Sequence, residues 1–455
     1  MRHRAIRTIR TAVLVLPLLV WLLTWLLAGP ALAGTPEPKE VVLANGMKVL
    51  FVEVPKAPVV TVQIWYRVGS RNEIMGRAGL SHMLEHMMFK GTPAYAKGVF
   101  SRTIRKNGGQ DNAFTSQDFT GYFENLAADR VEQALVMEVD RLRGLLLDDQ
   151  EFQLEREVVK EERRMRVEDD PQAYLAEALF AQAFQIHPYH WPIIGWFPDL
   201  NAMTREDLKR HYDTYYVPNN ATLVIVGDIK ADQLLPVVTR LFEGIPSRPL
   251  PDARIVAEPE QRGERRIVVK RDAQVPFVMA GYRVPNFRDP DAYALTVLET
   301  VLSDGKSSRL YQNLVYKQKH ALAVGAEYSL LSTDPELFYC YAVAKPGEKI
   351  DAVEQSLYHE IARLQAAPPT AVELQRAKNQ IEASYLFGQD SVFRQAMLYA
   401  QAESVGAGWK QVNEFVGKIR AVTAEDVQRV AKRYLVADAR TVGILIPAPA
   451  VAEAK

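Results

Sequence analysis

Two imidazoles and a carboxylate fall within five residues in the run Ser81-His82-Met83-Leu84-Glu85-His86-Met87. On a helix, positions four apart share a face, so His82 and His86 can grip one metal ion with Glu85 held beside it. That donor set points to a zinc hydrolase. The order His-x-x-Glu-His reverses the commoner His-Glu-x-x-His. A catalytic zinc takes three protein ligands and leaves one position open, so another ligand must come from elsewhere in the chain. The strongest source is Glu155-Arg156-Glu157-Val158-Val159-Lys160-Glu161-Glu162. On a helix, positions 155, 158, 159 and 162 share a face, which sets Glu155 and Glu162 around two valines. Spacing alone leaves Glu161 and Glu162 both open. Blander readings are a solvated acidic face and two histidines hydrogen-bonded in a core.

These residues need rigid elements around them. Helical patterns run over Ala128–Leu146, Glu151–Val167, Tyr174–Phe184, Ala292–Leu302, Ala352–Leu364, Val372–Ser384 and Ala424–Tyr434. Strand patterns run over 41–43 and 48–51, flanking a hairpin signal at Asn45-Gly46, then over Val59–Tyr66 and Ala221–Val226. The later part repeats the theme, with strands at Arg266–Lys270, Phe277–Tyr282 and Thr441–Leu445. In each half a helix end feeds a short turn and a final strand. This internal echo implies a duplication. Alternating strands mixed with helices predict an α+β fold of two homologous domains, each a mostly antiparallel sheet packed with helices.

The chain has 455 residues, 55 basic and 55 acidic. Arg2, Arg4, Arg7 and Arg10 precede an apolar run from Ala12 to Ala28, and Ala31-Leu32-Ala33 has the small-x-small form of a cleavage site. Residues 1–33 therefore read as a signal peptide. An uncleaved anchor is the competing reading, since the apolar run is long enough for a short span. Either reading sends the body of the protein out of the cytoplasm, to the bacterial periplasm, and cleavage leaves no stable membrane insertion. Removing the leader takes away four arginines and no acids, giving a mildly acidic chain with no basic tract for nucleic acid. The single cysteine, Cys340, excludes an internal disulfide and a thiolate-rich zinc site, and reads as a core or strand residue. The remaining length exceeds one ordinary core. The expected division is 34–244, a catalytic zinc-binding domain; 245–263, a linker stiffened by Pro246, Pro249 and Pro251; 264–448, a second domain; and 449–455, a tail.

With these motifs together, the sequence resembles the pitrilysin-type, or inverzincin, metallopeptidases of family M16, most closely the two-domain kind related to mitochondrial processing peptidase. In that family a zinc glutamate follows the His-x-x-Glu-His motif about 76 residues on, which lands on Glu162 and so chooses it over Glu161. A supporting glutamate seven residues earlier matches Glu155. The resemblance implies one Zn²⁺ per chain on His82, His86 and Glu162, with Glu85 activating water for endopeptidase cleavage. It further implies that the two domains form half of a clamshell, closing a chamber around unfolded peptides. Gly108-Gly109-Gln110-Asp111-Asn112-Ala113-Phe114-Thr115 resembles the family's entry into an edge strand that pairs with substrate backbone, placing Asn112 and Ala113 by the cleft. Ser307-Ser308-Arg309-Leu310-Tyr311 matches the start of a family helix. His187 and His190 sit in a matching loop and are read as non-ligands. One departure stands out. Active single-subunit members carry an arginine and a tyrosine after that helix, and here Val324 stands where the tyrosine is expected. Lys317 or Lys319 can replace a charge but not a hydroxyl. The implied arrangement is a heterodimer in which a related subunit supplies the substrate-binding arginine and tyrosine. A homodimer using other residues is the rival. A non-catalytic scaffold or a peptide-binding subunit of the same fold would share this architecture without turnover.

Overall fold

The computed structural model describes residues 37–252 and 257–448. The leader at 1–33, the tail at 449–455 and residues 253–256 of the linker lie outside the described residues. From Pro38 onward the chain forms one compact unit. The fold is α+β, with one sheet in each half.

The first sheet contains β1 (Lys39–Val42), β2 (Lys48–Glu53), β3 (Val59–Tyr66), β4 (Gln110–Thr115), β5 (Thr120–Ala127) and β6 (Ala221–Gly227), in the order β1-β2-β6-β3-β5-β4. The second contains β7 (Arg265–Arg271), β8 (Phe277–Val284), β9 (Ala321–Glu327), β10 (Glu336–Ala344) and β11 (Arg440–Pro447), in the order β7-β11-β8-β10-β9. Five strands of the first sheet repeat the second in order and direction. In both, the closing strand (β6 or β11) inserts parallel to the opening one (β2 or β7), and every later pairing is antiparallel. A duplicated sequence accounts for such a match. The Asn45-Gly46 turn forms as its residues require, with Gly46 at φ +84° and Gly46 N donating to Leu43 O at 2.8 Å.

The central strands are buried on both faces: β6 is buried throughout and β3 from Val60 to Tyr66. Each sheet therefore needs two covers. One face of the first sheet (Phe51, Val62, Ile64, Leu223, Ile225) packs on helices of its own half through Met83, Leu135, Leu208 and Val238. Its other face (Leu50, Val52, Trp65, Val224, Val226) is covered by Ala396, Tyr399 and Ala400 of the helix Val392–Ser404, from the second half. The exchange is mutual. Leu175 and Leu179 of the helix Pro171–Ala183 cover Phe277, Met279, Leu337 and Leu445 of the second sheet. Fully burying each of those leucines stabilises the junction by about 1.5–3 kcal/mol. Cys340 is buried in β10, facing the second core. Among the described residues no helix is long and apolar enough to cross a membrane.

Candidate metal centre

The motif Leu80–Met87 forms a helix whose first turn is set by a close backbone crossing. Gly79, at φ +95°, and Gly195, at φ +88°, face each other. A Cβ on Gly79 would lie 2.4 Å from the Ile194 carbonyl oxygen, and one on Gly195 would lie 2.2 Å from that of Ala78. Only glycine tolerates both the approach and the left-handed backbone. Glu73 then occupies the helix N-terminus, accepting from Gly79 N and Ser81 N at 2.7 Å each, where negative charge is favoured. Burial pushes the Glu73 carboxyl up to about 8, against the pull of those two bonds. Leu80, Met83, Leu84 and Met87 bury the opposite face, so the helix cannot rotate away from the cleft.

The second element is the helix Asp149–Arg163, capped by Asp148 accepting from Glu151 N at 2.9 Å. Its winding then widens over Arg164–Glu168, where Asp169 N donates to Arg164 O at 2.8 Å. Phe152 and Val159 anchor it in the core. Val158 is 50 % exposed, so the site-facing stripe is narrower than spacing predicts: a 3.6-residue turn carries position 158 to its edge.

Glu162 meets both histidines. Its Oε2 lies 3.2 Å from His86 Nε2 and 3.6 Å from His82 Nε2, and one donor atom from each of the three side chains fits within a 4.8 Å span. Glu155 Oε1 sits 2.9 Å from His86 Nδ1, which aims Nε2 at the centre. Lys90 pairs with the other Glu155 oxygen. His82 is 7 % exposed, and its Nδ1 is buried without a hydrogen-bond partner, so its ring engages the site through Nε2. Burial and the neighbouring His86 pull His82 down to about 4. Burial also opposes charge on His86, but its bonds to Glu155 and Glu162 outweigh that and hold it up at about 9. The same His86 bond holds Glu162 down at about 2. Two neutral imidazoles and one carboxylate around a dication would resolve this crowding of like and unlike charges. The donor set fits zinc.

Glu85 lines the same cleft as the three candidate ligands and is tied to the neighbouring strand. Its Oε2 accepts from Thr115 Oγ1 at 2.5 Å, at the end of β4, and burial raises its carboxyl above the usual range. All four side chains open on a cleft of 690 Å³, with Asn112 and Ala113 of β4 on one wall and Pro192, Ile193 and Ile194 on another. Among the described residues β4 is the outermost strand of its sheet and pairs only with β5. His187 and His190 do not line the cleft. His187 Nε2 instead contacts Asp334 Oδ2 of the second half at 3.1 Å. Val324 sits on β9, packed against the second core.

Sequence reasoning misses three cleft residues. Thr115 closes the edge-strand motif, and nothing in the motif gives it a role. Lys90 lies four residues after His86 and Arg166 four after Glu162, the same helical interval that marks the ligands.

Comparison with known proteins identifies the family of the chain. Residues 48–195 match the family model described as Insulinase (Peptidase family M16), and residues 202–381 match Peptidase M16 inactive domain. The chain is 32 % identical over 404 residues to the zinc protease PqqE of Helicobacter pylori, covering 88 % of this chain and 90 % of that protein. It is 29 % identical over 422 residues to a probable mitochondrial-processing peptidase subunit beta of Arabidopsis thaliana, covering 88 % and 77 % respectively. The crystal structure of a protease from Helicobacter pylori superposes with a TM-score of 0.88 at 32 % identity, covering 91 % of this chain and all of that one. The chain belongs to peptidase family M16.

Proposed function

We propose that this chain is a zinc-dependent endopeptidase, with His82, His86 and Glu162 as metal ligands and Glu85 as general base. The observation that carries the reading is the convergence of three candidate ligand atoms within 4.8 Å, beside a half-buried carboxylate that opens on the same cleft. Bound zinc would supply Lewis-acid polarisation of a peptide carbonyl and of water. The protein's own groups do the rest. Glu155 fixes the tautomer and direction of His86 through Nδ1. Thr115 holds Glu85 by one oxygen and leaves the other free. Glu85 takes a proton from the attacking water and returns it to the departing amine. The unpaired edge of β4 offers backbone groups to an extended peptide, with Asn112 and Ala113 alongside it.

The zinc protease and processing-peptidase names of the relatives support the hydrolytic reading. Val324, packed where a substrate-binding hydroxyl is expected, supports a heterodimer in which a related subunit supplies arginine and tyrosine. The basic and apolar leader pattern supports a periplasmic location.

Glu85→Gln tests the chemistry. It should retain one zinc per chain by elemental analysis and lose roughly 10²–10⁴ in peptide hydrolysis, the range for removing a general base. Unchanged hydrolysis would remove Glu85 from the mechanism.

A further inference from the structure

We infer that Arg166 is a positioning residue that makes Glu162 a one-oxygen metal ligand and so keeps a coordination position open. The inference rests on the zinc reading above and deepens it. Glu162 divides its two oxygens: Oε2 faces both histidines, while Oε1 lies 3.0 Å from Arg166 Nε. A carboxylate free to rotate can offer both oxygens to a cation. A catalytic zinc needs room for water beyond its three protein ligands. Holding Oε1 on a guanidinium meets that need.

An exposed ion pair is ordinarily weak, because ordering two long side chains offsets its attraction. The Arg166 side chain is indeed 70 % exposed. Its backbone, however, is fixed from both sides. Arg163 Nη1 donates to Gly195 O and to Glu177 Oε2, both at 2.9 Å. Glu168 Oε1 receives Arg163 Nη2 at 3.1 Å, and its Oε2 receives Arg271 Nη2 of β7 at 2.7 Å. Arg271 in turn stacks on Tyr174, 3.5 Å from the ring centre. The widened turn 164–168 thus hangs between the Gly79–Gly195 crossing and the second sheet, with Arg166 at its middle. Much of the ordering cost is met by the fold. Lysine at 166 would keep the charge but lose the planar guanidinium that lies against Oε1.

The test compares the wild-type chain with Arg166→Gln and Arg166→Lys, using zinc competition titrations and the visible spectrum after cobalt substitution. Because residue 166 is exposed, both variants should melt like the wild type. Arg166→Gln should bind zinc 10–100-fold more weakly, the usual effect of removing a residue that orients a ligand. Its cobalt band should lose intensity, as expected when a second Glu162 oxygen raises the coordination number. Arg166→Lys should recover affinity only in part. Wild-type affinity and an unchanged cobalt spectrum in Arg166→Gln would overturn the Arg166 assignment alone. A wild-type chain that takes up neither metal would overturn the zinc reading and this inference with it.

Discussion

Three of the four candidate site residues have a polar or charged group behind them, and only His82 Nδ1 is left without a hydrogen-bond partner. His86 has Glu155 and Lys90 behind it, Glu162 has Arg166, and Glu85 has Thr115. Thr115→Val removes one hydroxyl donor with little change in volume. A single hydrogen bond to a charged group is worth about 1.5–3 kcal/mol, so kcat should fall about tenfold to a hundredfold. Zinc content should stay at the wild-type level. A variant with full kcat would show that Glu85 holds its position without Thr115. The proposed ligands His82 and His86 and the proposed base Glu85 are legible because helical periodicity places them together without reference to any other element. Glu162 needs more: spacing leaves Glu161 open, and only family resemblance removes it. In the structure Glu161 points to Arg164 and is half exposed. Thr115 is not legible, since its partner lies 30 residues away on a different element.

At the scale of elements, strands and capped helices follow closely from local pattern. The acidic helix begins at an Asp cap, and the final strand of each half follows a short turn at 218–220 and 437–439, as the sequence implies. The helices Ala231–Phe242, Val392–Ser404 and Trp409–Ala421 are not among those the pattern marks. The first carries Pro236 in its interior, and the second packs between a sheet and neighbouring helices, which blurs its amphipathic stripe. The matched segment at Ser307 positions an element. Arg309 Nε reaches Glu373 Oε1 at 2.8 Å, at the start of the helix Ala371–Gly388, where Thr370 and Glu373 form a capping box. The Arg309 bond holds the Glu373 carboxyl down at about 2. A depressed carboxyl stabilises the fold above its unfolded value near 4.3, and that contribution fades as pH falls through the folded value. Glu373→Gln keeps a capping acceptor and removes the charge. It should cost about 1–2 kcal/mol at pH 7 by urea unfolding, and the gap to wild type should narrow by pH 3.5. A gap of constant size across that interval would refute the linkage.

The whole molecule departs most from a simple division into two halves. Each sheet borrows one cover from the other half, through Pro171–Ala183 and Val392–Ser404, so the sheets share their stability. Long-range exchange of this kind leaves no local signature, because an apolar helix face does not say which sheet it will meet. The polar contacts of His187 and Arg71 with Asp334 tie the same junction. The proposed heterodimer also belongs to this scale. With Val324 half-buried against the second core, the purified chain alone should hydrolyse long peptides far more slowly than when mixed with a related partner bearing the arginine and tyrosine. Full activity of the lone chain would sink the heterodimer. The central claim is more basic: one ion joins the two elements of the motif. An anomalous difference map at the zinc edge, from crystals of the purified chain, tests it most directly. It should place one peak per chain bounded by His82 Nε2, His86 Nε2 and Glu162 Oε2, with Glu85 beside it and not bound. A map with no peak there, or with the ion held by other side chains, would contradict the account.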